Sequence, residues 1–128
     1  MAIKTSSAKA KGRNLQQHCR DRILMVFDDH LTEGDVTSTS MGAGGIDVPL
    51  SPFARKIIPL SIECKSVKKL DLPGSMRQAN ANKYAYTYPV VVHKPHRVGP
   101  AGSLVTMMFE DLLDIMRKLN AASTRKDD

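Results

Sequence analysis

Met41–Lys65, MGAGGIDVPLSPFARKIIPLSIECK, is the stretch whose reading decides the fold. Its second half alternates: Ile58, Leu60, Ile62 and Cys64 are apolar or core-seeking, while Pro59, Ser61, Glu63 and Lys65 fall between them. A period of two is the signature of a strand. Side chains two apart on a strand share a face, so Glu63 and Lys65 are expected to project together, away from the core. Ile46–Leu50 reads as a second short strand, with Ile46, Val48 and Leu50 facing one way and Asp47 the other. If the two strands pair, Asp47, Glu63 and Lys65 converge on one surface. Two carboxylates and a lysine suit a divalent metal and a phosphate. Magnesium takes hard oxygen ligands and keeps several waters, so one or two carboxylates plus substrate phosphate suffice. A metal held there polarises a phosphoryl oxygen and lowers the pKa of a bound water. A neighbouring lysine orients that water and offsets developing charge.

Outward from this stretch, the chain is of single-domain size at 128 residues, 41% hydrophobic and 25% charged. A net charge of +6 favours an anionic partner. Aromatics make up only 5%, with no tryptophan, which argues against a platform for stacking single-stranded bases. No apolar run has the length of a transmembrane helix, so no membrane partner is expected. The start, MAIKTSSAKAKGRN, has no apolar core of a secretory signal. Cys19 and Cys64 both fall on core-facing positions and read as buried reduced thiols of an intracellular protein.

Residues 1–12, polar and basic, read as a flexible arm. Leu15, Cys19, Ile23, Val26 and Phe27 recur at helical spacing from Asn14, a candidate N-cap, to about Asp29. Asp35 to Ser40 is a candidate first strand. Met41–Gly45 is a glycine-rich loop without the G-K-[ST] of a nucleotide-binding loop. Glu33 and Asp35 are read first as loop charges and second as accessory ligands. Ser51–Lys56 is expected to be a loose connection, given Pro49, Pro52 and Pro59. Leu72-Pro73-Gly74 is a breaker, after which Ser75 caps a helix running to about Tyr84. Pro89–Lys94 is a buried central strand, Leu104 to about Met108 a last strand, and Glu110 to about Asn120 an amphipathic helix. The order α-β-β-β-α-β-β-α predicts an α/β (α+β) layer fold, a mixed sheet flanked by helices. His93 and His96 lack a Cys or Asp neighbour, so they make a poor zinc pair. The charged end, from residue 123 to 128, reads as a tail.

Gly45-Ile46-Asp47-Val48 followed by Ile62-Glu63-Cys64-Lys65 at the end of an apolar strand resembles the signature of the PD-(D/E)XK nucleases. The nearest resemblance is to small phage-type and archaeal Holliday-junction-resolvase-like endonucleases, and it runs from about Lys11 to about Leu119. It implies a restriction-endonuclease-like fold over residues 13–122, with a central mixed sheet. It also implies a Mg2+-dependent endodeoxyribonuclease, with Mn2+ as an alternative ion and no organic cofactor. Asp47 and Glu63 would bind metal together with the Cys64 backbone carbonyl, Lys65 would orient and polarise, and Gln78 would assist. The early-helix glutamate of these relatives falls here at Gln16, or Gln17 with a shift; an amide brings no charge, and this departure bears on a second metal. Arg13, Arg20, Lys68, Lys69, Arg77, Lys94 and Arg97 form the pool for phosphate contacts, which position DNA without reading its sequence. With no module left for base readout, a branched or four-way junction is the expected partner. A homodimer that cuts two strands is implied too, in the host cytoplasm for a phage-type enzyme. The alternatives are a sequence-specific restriction or homing endonuclease of the same fold, and a DNA-binding accessory module that does not cut.

Overall fold

The computed structural model describes residues 2–39 and 45–123, with side chains from residue 9 onward. Three strands form one mixed sheet in the order β1-β2-β3: β1 is Leu60–Lys65, β2 Tyr88–His93 and β3 Leu104–Met107. β1 and β2 are parallel, with Ile62 beside Val90 and Lys65 beside His93; β2 and β3 are antiparallel. The helices are α1 (Ala2–Val26), α2 (Pro52–Ile57), α3 (Leu72–Asn82) and α4 (Phe109–Ser123), with a short 3-10 turn at Pro100–Gly102. The mixed sheet flanked by helices agrees with the α+β expectation. No helix is long and apolar enough to cross a membrane among the described residues.

α3 crosses from β1 to its parallel neighbour β2 and packs on one face of both strands, while α1 meets β1. The core lies on the α1 side, where Leu15 of α1 joins Ile62, Cys64 and Val90 of the sheet. Val36, Val48, Leu50, Ala54 and Ile58 close it from the side of β1. The face beneath α3 carries Ser61, Glu63 and Val91, all buried. The shared face of Glu63 and Lys65 is as expected, but its exposure is not: Glu63 is 3% exposed, because α3 covers that side as a second layer. β2 is hemmed in by both neighbours and by helices, and its Val90 and Val91 are fully buried, as a run of β-branched residues in a central strand requires.

Several local expectations are corrected. α1 begins at Ala2, not at Asn14, so it takes in residues 2–12 that read as an arm. Ala8-Lys9-Ala10-Lys11 are good helix formers, and one glycine, Gly12, costs only about 1 kcal/mol. Ile46–Leu50 does not become a strand paired with β1. It runs antiparallel to residues 35–39 through one bridge, Val36 to Leu50, with Thr37 N–H on the Pro49 carbonyl at 3.1 Å and Thr39 N–H on the Asp47 carbonyl at 3.0 Å. Pro49 has no N–H to give back, so the ladder stays irregular. Its inward set is as expected, with Ile46, Val48 and Leu50 buried. The glycine-rich loop Met41–Gly45, apart from Gly45, and the charged tail 123–128, apart from Ser123, lie outside the described residues.

Ser51–Lys56 is a helix rather than a loose link. Ser51 Oγ accepts the Ala54 N–H at 3.0 Å, Pro52 fills the first turn where its missing N–H is not needed, and Ser51 also donates to Asp35 at 2.7 Å. Likewise Leu72-Pro73-Gly74 starts α3 rather than breaking the chain: Asp71, not Ser75, is the cap, accepting the Gly74 N–H at 3.0 Å. Replacing Ser51 with alanine removes both the α2 cap and the tie to Asp35, and is expected to cost about 1–2 kcal/mol in urea unfolding.

Candidate metal centre and basic groove

The site forms where β1 meets the Asp47 segment. The carbonyls of Pro59 and Lys65 accept from Tyr88 and Lys94 at 2.8 and 3.1 Å, so alternate carbonyls of β1 face β2. By that two-residue period the N–H and carbonyl of Cys64 point the other way, to the free side of β1. Asp47 waits there, and its Oδ2 accepts the Cys64 N–H at 2.7 Å. The chain reaches this position through Gly45, whose φ of 93° suits a residue without a Cβ. Asn82, at the end of α3, donates to the Gly45 carbonyl at 3.5 Å.

Asp47 and Glu63 lie close enough for their carboxyls to hydrogen-bond to each other. Lys65 Nζ is 3.6 Å from Glu63 Oε2 and donates to Gln78 Oε1 at 3.1 Å. Asp47, Glu63, Lys65 and Gln78, distant in sequence, therefore stand in one chain of contacts. Gln78 comes from α3, two turns after the Asp71 cap, and with Lys65, Asp71 and Gly74 it lines an open groove.

Electrostatics set the character of the pair. Burial raises the Asp47 pKa, against the Cys64 N–H and Lys65, which lower it. Burial, and next the Asp47 charge, push Glu63 from 4.5 up to about 7, with Lys65 opposing. Burial and the neighbouring Asp47 charge favour a proton on Glu63, and one lysine does not offset both carboxylates. A divalent cation would take that proton's place. The donor set, two carboxylates with the Cys64 carbonyl facing the same side, is all hard oxygen and fits magnesium better than a soft metal.

The remaining predicted residues divide. Gln16 is 4% exposed and accepts from Ser38 Oγ at 3.2 Å, one residue from the Thr39 that holds the Asp47 backbone; it brings an amide to the neighbourhood and no charge. Gln17 is only half-buried. Among the described residues no three His, Cys, Asp or Glu side chains are grouped to hold a metal ion, so the Asp47–Glu63 pair has no third such neighbour there. Asp35 is a structural acid rather than an accessory ligand. Its carboxylate accepts from Thr32 and Ser51, and those bonds hold its pKa below the usual range.

Lys68, Lys94 and Arg97 line one small groove of about 190 Å³, joined by Lys11 from α1 and by His96. Lys94 Nζ donates to the Val98 carbonyl at 2.7 Å, and Arg97 sits at a φ of 65°, so both are held by the turn after β2. Arg13 and Lys69 are exposed outside that lining. Arg20 is paired with Asp21 at 2.8 Å, and Arg77 lines a different groove between α3 and α4. Lys11 escaped the sequence reading because it was placed on an arm, and only the longer α1 brings it to the groove. His93 is used internally, with its Nε2 2.9 Å from Thr106 Oγ1.

Behind the site, the Cys19 and Cys64 thiols touch at 3.8 Å without a disulfide. The hydrogen bond to Cys19 and burial push the Cys64 thiol far up, so it remains a neutral core group; the same bond lowers Cys19. The chain matches no protein-family model, no curated protein and no solved structure.

Proposed function

We propose that this protein is a Mg2+-dependent DNA endonuclease of the PD-(D/E)XK type, acting on branched DNA such as a four-way junction. The observation that carries this reading is the meeting of Asp47, Glu63, Lys65 and Gln78 at the free edge of β1. The succession of helix, aspartate-bearing segment, E-x-K strand, helix and parallel strand supports it further. Asp47, Glu63 and the Cys64 carbonyl would hold the metal, with Mn2+ an alternative ion. A bound Mg2+ supplies Lewis-acid polarisation of a phosphoryl oxygen and a water of lowered pKa. The Cys64 N–H aims the Asp47 carboxylate. Lys65 offsets charge developing on the phosphoryl oxygens, and Gln78 restricts its ammonium to that task. The groove of Lys11, Lys68, Lys94 and Arg97 would carry backbone phosphates past the site, positioning DNA without reading bases. A dimer would supply the second cut that a junction needs.

The test is cleavage of a labelled four-way junction beside a linear duplex of the same sequence, with Mg2+ and with chelator. Metal-dependent nicks in the junction alone are expected. Cutting of the duplex at one site would replace this reading with the restriction or homing one. Tight metal-independent binding with no cutting of either would leave a DNA-binding accessory module. Gln78→Ala should slow cleavage by up to roughly 10²-fold, the cost of a misplaced positioning group.

A further inference from the structure

We propose that α4 is the surface on which two copies of this chain associate, packed antiparallel about a two-fold axis near residue 114. Phe109, Leu112, Leu113, Met116 and Leu119 recur at spacings of three and four, which places them on one stripe. All five are between 39% and 67% exposed, and no residue of α4 is buried. The helix is docked by its polar side. Asp114 accepts from the Tyr88 hydroxyl, and Lys118 Nζ donates to that hydroxyl at 2.8 Å and pairs with Asp114 at 3.2 Å. A helix completing its own domain turns its apolar stripe inward; α4 turns it out, and nothing among the described residues covers it.

Size and symmetry select a second copy as the occupant. At roughly 150–250 Å² per large side chain, the exposed parts of the five residues and the adjoining Met108 offer on the order of 450–750 Å² in one band. The upper end of that range approaches the roughly 800 Å² that each partner contributes to a stable interface. The stripe is also complementary to itself. Run antiparallel, Leu112 lies against the second copy's Met116 and Phe109 against its Leu119. Glu110 lies seven residues before Arg117 on one flank, and Arg117 is held by Asp114 of its own copy at 2.6 Å, so in the antiparallel pair each Glu110 comes opposite the other copy's Asp114–Arg117 pair. An interface in which each residue meets its reciprocal partner is what a two-fold dimer demands.

This deepens the dimer in the proposed function, yet its test reads mass and needs no cleavage, so either can fail alone. Light scattering or sedimentation at roughly 50 µM, above the micromolar ceiling for an interface of this size, should give twice the 14.1 kDa of one chain. Leu112→Glu with Met116→Glu should give the single-chain mass with helical circular dichroism retained. Glu110→Arg, which leaves the Arg117–Asp114 pair in place, should weaken association several-fold. A single-chain mass for the unaltered protein would overturn the proposal. So would a dimer indifferent to Leu112→Glu with Met116→Glu, and a dimer indifferent to Glu110→Arg would overturn the antiparallel arrangement.

Discussion

Lys65→Ala is expected to slow metal-dependent cleavage of a four-way junction roughly 10²–10³-fold, the usual cost of removing one positioned charge-stabilising donor. Folding should survive, since Lys65 lies at the end of β1 and is only half-buried. Binding to the junction should weaken little, because the Lys11, Lys68, Lys94 and Arg97 groove remains. Asp47 needs a finer substitution. Its carboxylate both faces Glu63 and accepts the Cys64 N–H at 2.7 Å, so alanine would leave that N–H unpaired and confuse the two roles. Asp47→Asn keeps an acceptor for Cys64 and removes the charge. Loss of cleavage in Asp47→Asn, with an unfolding midpoint near that of the unaltered protein, would assign Asp47 to metal binding. Full activity in both variants would remove this strand edge from the chemistry.

The second large effect is on stability and pH. In chelator, the folded protein holds Glu63 protonated up to about 7, whereas an unfolded chain releases that proton near 4.5. The sign follows from proton binding: the folded state binds the extra proton, so the contribution is fully present below 4.5 and is lost as pH rises through 7. With Glu63 3% exposed, the loss is on the order of 2–3 kcal/mol. Asp47, also raised, acts in the same direction. Urea unfolding in chelator should show the unaltered protein weakening from pH 5 to pH 8, while Glu63→Gln flattens the profile and is the more stable of the two at pH 8. Adding Mg2+ at pH 8 should restore the unaltered protein and leave Glu63→Gln nearly unmoved. A flat profile in the unaltered protein would mean that Glu63 ionises in water rather than under α3.

The sequence alone determined the strand of Ile62-Glu63-Cys64-Lys65 and the face shared by Glu63 and Lys65. It also determined the central place of Pro89-Val90-Val91-Val92, the inward set of Ile46, Val48 and Leu50, and the residues that meet at the site. These are matters of local period and residue chemistry, which neighbours along the chain decide. The helix starts at Pro52 and Leu72 are legible in Ser51 and Asp71, cap residues followed by proline in the first turn, although the same prolines also suit a loose connection and a breaker. Only the tertiary structure decided what covers each face. A strand's alternation is the same whether its second face meets water or α3, so Glu63 reads as exposed until the helix is seen to lie on it. The amphipathic spacing of α4 is likewise the same whichever way its apolar side points; the contact of Asp114 with Tyr88, twenty-six residues earlier, holds the polar side to the domain and leaves the stripe outside.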